Sequence, residues 1–165
     1  ISIENFCPTL STLIDMKAEL GLRSPVNTLV RHINPLNAPV TLQGMFHPAY
    51  MQLHHDSAMQ LKQNNNIVLK GDGGEFEVRP DSETKLAINA SQPVIEVALP
   101  AALKSRAIRP KQVTMEPLQD VWNGDTNDIY GEAAVIQTAA LLLAQTKALT
   151  LDDAKEQVSQ WWAKR

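Results

Sequence analysis

Charged side chains that could bind a carboxylate or a metal ion occur at two places in the sequence. Arg23 follows the first predicted helix, and a guanidinium offers a planar fork of donors that matches a carboxylate. Glu75 and Glu77 follow a glycine-rich turn, and carboxylate oxygens are preferred ligands of Mg²⁺. Residue type alone leaves simpler alternatives open. Arg23 could be a solvated surface group, and the two glutamates could form the solvent face of a short strand with Phe76 and Val78 pointing inward.

Other residues offer less specific chemistry. The turn at Gly71–Gly74 lacks the Lys-Ser/Thr ending of a phosphate-binding P-loop. The four histidines include no pair four residues apart, which favours structural roles over a metal site: His32, His47, His54 and His55. Cys7 has no neighbouring base that would make it a nucleophile. A single cysteine excludes an internal disulfide, and we predict a cytoplasmic location.

The elements that position these residues alternate between helices and strands. Helices are predicted at Ser11–Leu20, Ser24–His32, His47–Gln63, Ile129–Thr146 and after Thr150, where Asp153 completes a capping box. Strands are predicted at Val40–Phe46, Ile67–Lys70, Glu75–Val78, Thr84–Ile88 and Val94–Leu99, with a further candidate at Gln112–Met115. The strand, helix and strand between Val40 and Lys70 form a βαβ unit. We therefore predict an α/β fold with a mixed, mainly parallel sheet flanked by helices.

Composition limits the classes of protein to consider. The chain has 165 residues, which predicts one domain spanning residues 1–165. The net charge of -3 gives no electrostatic reason for the whole chain to bind nucleic acid. The longest apolar stretch, Ala133 to Ala144, is shorter than the roughly 20 residues that cross a bilayer. The start at Ile1, without a signal peptide, is typical of a fragment.

Four segments resemble anthranilate phosphoribosyltransferase and its relatives in glycosyl transferase family 3, the nucleoside phosphorylase-like proteins. They are ELGLRSPVNTLVRHINPLNAP, VTLQGMFHPAYMQ, NNIVLKGDGGEFEV and EAAVIQTAALLLAQTKALTLDDAKEQV. The resemblance implies the carboxy-terminal α/β domain of that family. The family's amino-terminal helical domain and its phosphoribosyl-diphosphate-binding loop would then lie outside the chain.

The resemblance implies particular roles for the charged residues. Arg23 falls on the arginine that meets the carboxylate of anthranilate, and Glu77 on one of two acidic residues that hold magnesium on the diphosphate. Phe76 replaces the other acidic residue, so Glu75 or Asp72 would have to contribute from a shifted register. The implied reaction, in tryptophan biosynthesis, is pentosyl transfer from phosphoribosyl diphosphate to an aromatic amine. We expect the fragment alone to be inactive and monomeric, and its parent to be a homodimer.

A second function stays open at this point. The family has a divergent branch that departs at the catalytic motifs and resembles nucleic-acid-binding proteins. Phe76, Lys70 and Gln137 all replace family motif residues here and favour that branch, whereas the acidic pI of about 5.8 does not. The alternative prediction is therefore a non-catalytic family member that binds nucleic acid.

Overall fold

A four-stranded sheet organises the chain, whose computed structural model describes residues 2–22, 25–71, 75–89, 95–106 and 114–165. The strands lie in the order β1-β2-β3-β4. Their bounds are β1 Thr41–Met45, β2 Asn66–Lys70, β3 Thr84–Asn89 and β4 Ile95–Leu99. The α-helices are α1 Ile3–Phe6, α2 Pro8–Asp15, α3 Lys17–Leu20, α4 Val26–Leu29, α5 Met51–Gln60, α6 Glu116–Asn123, α7 Ile129–Lys147 and α8 Leu151–Trp162. Short 3₁₀ helices at Val30–His32 and Pro48–Tyr50 follow α4 and precede α5.

The sheet is mixed, as predicted, and the α/β class is confirmed. β1 and β2 pair in parallel through the α5 crossover, whereas β2–β3 and β3–β4 pair antiparallel. Among the described strands, one pair is parallel and two pairs are antiparallel, whereas a mainly parallel sheet was predicted. The reason lies in the connections, because a parallel pair needs a crossover of roughly a dozen or more residues, usually a helix. Only residues 90–94 separate β3 from β4, which forces the chain to reverse direction.

Helices cover both faces of the sheet. Successive residues of a strand point to opposite faces. On one face Ile67, Leu69 and Leu86 cluster with Leu141 of α7. On the other face Val68 clusters with Met51 of α5. A third cluster joins α7 to α8 through Ala140, Leu143, Ala154 and Val158.

Several predicted helix boundaries are confirmed and others change. The predicted helix at Ser11–Leu20 is two helices that meet at Met16 and begin as early as Pro8. Gly21 ends α3 in the left-handed conformation, with φ of 71°. Thr150 caps α8 by accepting a hydrogen bond from the Asp153 backbone N–H, as the capping box predicted. Helix α6 was not among the predicted helices.

Two of the predicted strands, Glu75–Val78 and Gln112–Met115, are not among the four strands of the sheet. Glu75–Val78 is not a strand, because its backbone bonds go elsewhere: Glu77 N donates to Glu75 O, and Val78 N donates to the Thr138 hydroxyl. The first two residues of the candidate at Gln112–Met115 fall outside the described residues, and the last two, Thr114 and Met115, are not in a strand. Within the described part of the chain, no helix combines the length and apolar character needed to span a bilayer.

Candidate ligand-binding site at the carboxyl edge of the parallel strands

The carboxyl ends of β1 and β2 lie side by side. Met45 and Lys70, the last residues of the two strands, are partners in the parallel ladder. The ladder extends one step further, because Gly71 N donates to Met45 O at 3.0 Å. The segments after the two strands therefore start at the same edge of the sheet. In open α/β sheets, ligands bind beyond this edge.

The backbones of Gly71 and Glu75 pass close to each other after β2. A Cβ atom at this position would lie 1.6 Å from the backbone oxygen of Glu75. Only glycine permits such a close approach of one backbone segment to another. The loop therefore returns to Gly71 within four residues, and Glu75 is held against the end of β2.

The two candidate metal-binding glutamates are exposed in this returning segment. Glu75 and Glu77 face solvent, while Phe76 is half-buried against the core and Val78 is 1% exposed. Exposed and buried side chains therefore alternate along this segment as predicted, although the segment is not a strand. Both carboxylates are therefore accessible to a cation. Among the described residues, no group of three His, Cys, Asp or Glu side chains could hold a metal ion.

Glu77 also lies near the start of α7. Burial raises the pKa of Tyr130, and the carboxylates of Asp81 and Glu77 raise it further, while Arg79 opposes them. Arg79 and Asp81 form an ion pair at 3.4 Å. The Glu77 carboxylate therefore borders a charged cluster that joins the segment before β3 to α7.

The resemblance implies that the segment around Arg31 binds the acceptor. This segment contacts β1. Arg31 donates to the Gly44 carbonyl, near the carboxyl end of the strand. The loop that follows is closed by Asn34, whose amide donates to Ala38 O at 2.9 Å and accepts from Ala38 N at 2.8 Å. Arg23 and Ser24 lie outside the described residues. The proposed contact of Arg23 with a carboxylate thus remains a prediction from the resemblance.

Two histidines from different elements stack beside β1, which the sequence did not predict. The rings of His32 and His54 are 4.7 Å apart with an interplanar angle of 22°. Gln43 of β1 bridges them, with Oε1 2.9 Å from Nδ1 of His54 and Nε2 3.3 Å from Nδ1 of His32. An amide oxygen accepts and an amide nitrogen donates. The bridge therefore requires a proton on Nδ1 of His54 and a lone pair on Nδ1 of His32.

Burial keeps this histidine pair uncharged. His54 is 2% exposed, and its pKa falls to about 4 because of burial, then of His32 and Arg31 nearby. Burial also lowers the pKa of His32. Both rings line a groove of about 720 Å³ with Leu29, Leu53 and Ser57. At neutral pH the two rings are therefore uncharged and form neutral hydrogen bonds.

The other two histidines occupy different environments. His55 is 1% exposed on α5. His47 is exposed after β1 and makes edge-on ring contacts with Phe46 and Tyr50. The carboxyl edge therefore carries an exposed aromatic group immediately after β1.

No protein-family profile matches the chain. Part of the chain is 32% identical to the anthranilate phosphoribosyltransferase of Saccharolobus solfataricus over 92 residues, which is 56% of the chain and 27% of that protein. It is 31% identical to the anthranilate phosphoribosyltransferase of Saccharolobus islandicus over 90 residues, 54% of the chain and 26% of that protein. An uncharacterized protein of Aquifex aeolicus is 30% identical over 81 residues, 49% of the chain and 26% of its own length.

The chain thus matches about a quarter of the length of each of these relatives. Matches of this identity over about half of the chain, together with the α/β fold, support a distant relationship to anthranilate phosphoribosyltransferase.

Proposed function

We propose that the chain is the acceptor-side lobe of a phosphoribosyltransferase-like enzyme. In this reaction the amino nitrogen of an aromatic acceptor attacks C1 of the ribose of phosphoribosyl diphosphate, and diphosphate leaves. The acceptor is an aromatic amine with a carboxylate, of the anthranilate type. The proposal extends to this chain the activity that the names of its partial matches state.

One structural observation supports the proposal most directly. Three segments that carry the resemblance meet at one edge of the sheet: Arg31 ties the first to Gly44, and the other two contain β1 and β2 and continue beyond Met45 and Lys70. Convergence of separate segments at the carboxyl edge is how α/β folds assemble a ligand site. Arg23 lies within the first segment, eight residues before Arg31, and it would orient the acceptor carboxylate.

Glu77 and Glu75 would bind magnesium on the donor diphosphate. Both side chains are exposed and offer only oxygen ligands, which suits Mg²⁺ with several retained waters. Bound magnesium would neutralise charge that develops on the leaving diphosphate. The chain has no GTGGD segment of the kind that holds the diphosphate in the family. We therefore propose that the chain by itself binds the acceptor but forms no product.

Anthranilate fluorescence tests this function. We expect the chain to bind anthranilate, and Arg23→Ala to weaken binding about tenfold or more, because a charge-assisted bidentate contact is lost. Arg106→Ala is the matched control, since Arg106 is exposed and lies outside the proposed site. Equal binding by both variants would contradict the acceptor role of Arg23.

A second candidate function is nucleic-acid binding, and Phe76 favours it. Its ring packs against the core at the position of a metal-binding carboxylate in the family, so one expected magnesium ligand is absent. Fluorescence anisotropy with labelled DNA and RNA distinguishes the two functions. Binding that weakens steeply between 50 and 200 mM salt, without anthranilate binding, would support the second function over the first.

A further inference from the structure

A second cavity lies at the carboxyl edge of the sheet, beyond β4. Because β3 runs antiparallel to both β2 and β4, β4 points in the same direction as β2. The segment after β4, residues 100–103, therefore leaves the sheet at the edge where α/β folds bind ligands. Together with α7 and α8 this segment borders a cavity of about 600 Å³. We call it the β4 cavity.

One side of each helix lines the β4 cavity. The lining residues of α7 are three and four positions apart, which places them on one face of the helix: Ile129, Glu132, Ala133, Ile136 and Gln137. Helix α8 contributes Lys155 and Ser159, four residues apart. Leu103 completes the third wall, and its backbone N–H donates to the Pro80 oxygen at 2.8 Å. The cavity therefore combines apolar walls with a few polar side chains.

Gln137 contributes an unsatisfied acceptor to the cavity wall. The residue lines the cavity although it is only 7% exposed. Its Oε1 has no hydrogen-bond partner in the described part of the chain. Nearly all buried polar atoms of folded proteins have a partner, so an exception of this kind indicates a donor from outside the chain. A bound molecule with an N–H or O–H group would supply that donor.

Two opposite charges also line the β4 cavity. Glu132 of α7 and Lys155 of α8 are both half-buried there. Lys155 forms an ion pair at 3.7 Å with Asp152 on its own helix, and the Asp152 side chain is 96% exposed. Such an exposed pair contributes little, so the ammonium of Lys155 can bind a ligand carboxylate. A small molecule that carries both an ammonium and a carboxylate complements these two charges.

We propose that the β4 cavity binds a free α-amino acid with an apolar side chain. Its ammonium donates to Gln137 Oε1 and faces Glu132, and its carboxylate pairs with Lys155. Its side chain contacts the apolar walls, since small-molecule sites are mostly apolar with a few placed polar groups. The proposal does not depend on the enzymatic function, because the proposed acceptor site lies beyond β1 and β2.

L-Leucine and L-phenylalanine at millimolar concentration serve as probes of the full chain. Amide chemical-shift mapping should show changes in residues 100–103 and 129–137, and titration calorimetry should measure the affinity. Each amino acid is compared with the analogue that lacks its carboxylate and with the analogue that lacks its ammonium. Both analogues should bind at least tenfold more weakly, because each loses one charge-assisted contact.

Substitutions separate the three polar contacts. Gln137→Leu should weaken amino-acid binding at least tenfold without lowering the free energy of unfolding, because it removes an unpaired buried oxygen. Lys155→Met should weaken binding of the amino acid but not of the analogue without a carboxylate. Glu132→Gln should weaken binding of the amino acid but not of the analogue without an ammonium. The matched controls are Lys147→Met and Glu156→Gln, at exposed positions of the same helices outside the cavity, and both should bind normally.

Three results would overturn the proposal. The first is an absence of shifts in the cavity residues with both amino acids, which would mean that only water reaches Gln137 Oε1. The second is equal affinity for an amino acid and its two analogues, or unchanged binding by Gln137→Leu. The third is loss of amino-acid binding in Arg23→Ala, because the amino acid would then occupy the proposed acceptor site instead.

Discussion

The carboxyl edge of β1 and β2 differs from the groove lined by Leu118, Trp122 and Ile129, the α6 groove, in how polar and apolar side chains are placed. Beside β1, the polar groups of His32, Gln43 and His54 are largely buried and bonded to one another. In the α6 groove, Leu118 and Trp122 are apolar and exposed. Buried polar groups are costly to leave unpaired, whereas an exposed apolar side chain adds little to folding. The first region should therefore control stability, whereas substitutions in the second should leave it nearly unchanged.

The largest effect is expected at Gly71. Gly71→Ala places a methyl group against the Glu75 backbone oxygen, 1.6 Å away, and the backbone must move to relieve it. We expect the free energy of unfolding to fall by about 3 kcal/mol or more, measured by urea denaturation. Gly131→Ala is the control, because there the obstacle is the Asp128 carboxylate at 2.5 Å, a side chain that can rotate away. Equal losses in the two variants would argue against a fixed loop after β2.

Acid should destabilise the region around β1. The pKa of His54 is lowered to about 4 in the folded chain by burial, His32 and Arg31, whereas an unfolded histidine titrates near 6.5. Between these pH values only the unfolded chain takes up the proton. His54 therefore contributes stability above pH 6.5 that is lost as the pH falls through 4, about 2 kcal/mol in all.

Urea denaturation at pH 7.5, 5.5 and 4 measures this loss. His54→Gln cannot titrate and should remove much of the pH dependence, while His47→Gln should not, because His47 is exposed. A wild-type stability that stays constant across this range would contradict the buried, neutral histidine pair.

Helix caps in the carboxyl-terminal region should have intermediate effects. Asp128 accepts a hydrogen bond from Gly131 N at 2.9 Å and caps α7, and Thr150 accepts from Asp153 N at 3.1 Å and caps α8. Asp128→Ala and Thr150→Ala should each lower the free energy of unfolding by about 1 kcal/mol. Thermal denaturation followed by circular dichroism measures both. Replacement of each by Asn or Ser, which also cap helices, should restore most of the loss.

The smallest effect on stability is expected in the α6 groove. Leu118→Asn should change the free energy of unfolding by no more than about 0.5 kcal/mol, because Leu118 is already 58% exposed. Leu86→Asn, at a core position that is 0% exposed, provides the contrast and should severely destabilise the chain. A large loss in Leu118→Asn would mean that α6 packs more tightly than its exposure indicates.

Local patterns predicted the parts of the fold that depend on local interactions. The βαβ unit, α7 and the Thr150 cap follow from apolar runs, helix periodicity and capping residues. The pairing of β3 and β4 was harder to predict, because their direction depends on the length of a connection rather than on the strands themselves. Helix α6 is short, running from Glu116 to Asn123, and it has no buried residues.

Only some features of the candidate site could be predicted from the sequence. Exposure of Glu75 and Glu77 followed from alternation with Phe76 and Val78. The stack of His32 on His54 joins residues 22 positions apart in the sequence, through a glutamine of a third element. One signal was present, since a polar residue in the interior of an apolar strand needs a buried partner. Gln43 satisfied that condition, but the strand pattern alone could not identify its partners.

We propose that the carboxyl edge of β1 and β2 binds an aromatic carboxylate. Amide chemical-shift mapping of the ¹⁵N-labelled chain with millimolar anthranilate locates the binding site residue by residue. We expect shifts concentrated in residues 22–39, 46–48 and 71–77, and we expect these shifts to be lost in Arg23→Ala. An absence of shifts in these three segments, or shifts confined to the α6 groove, would contradict it.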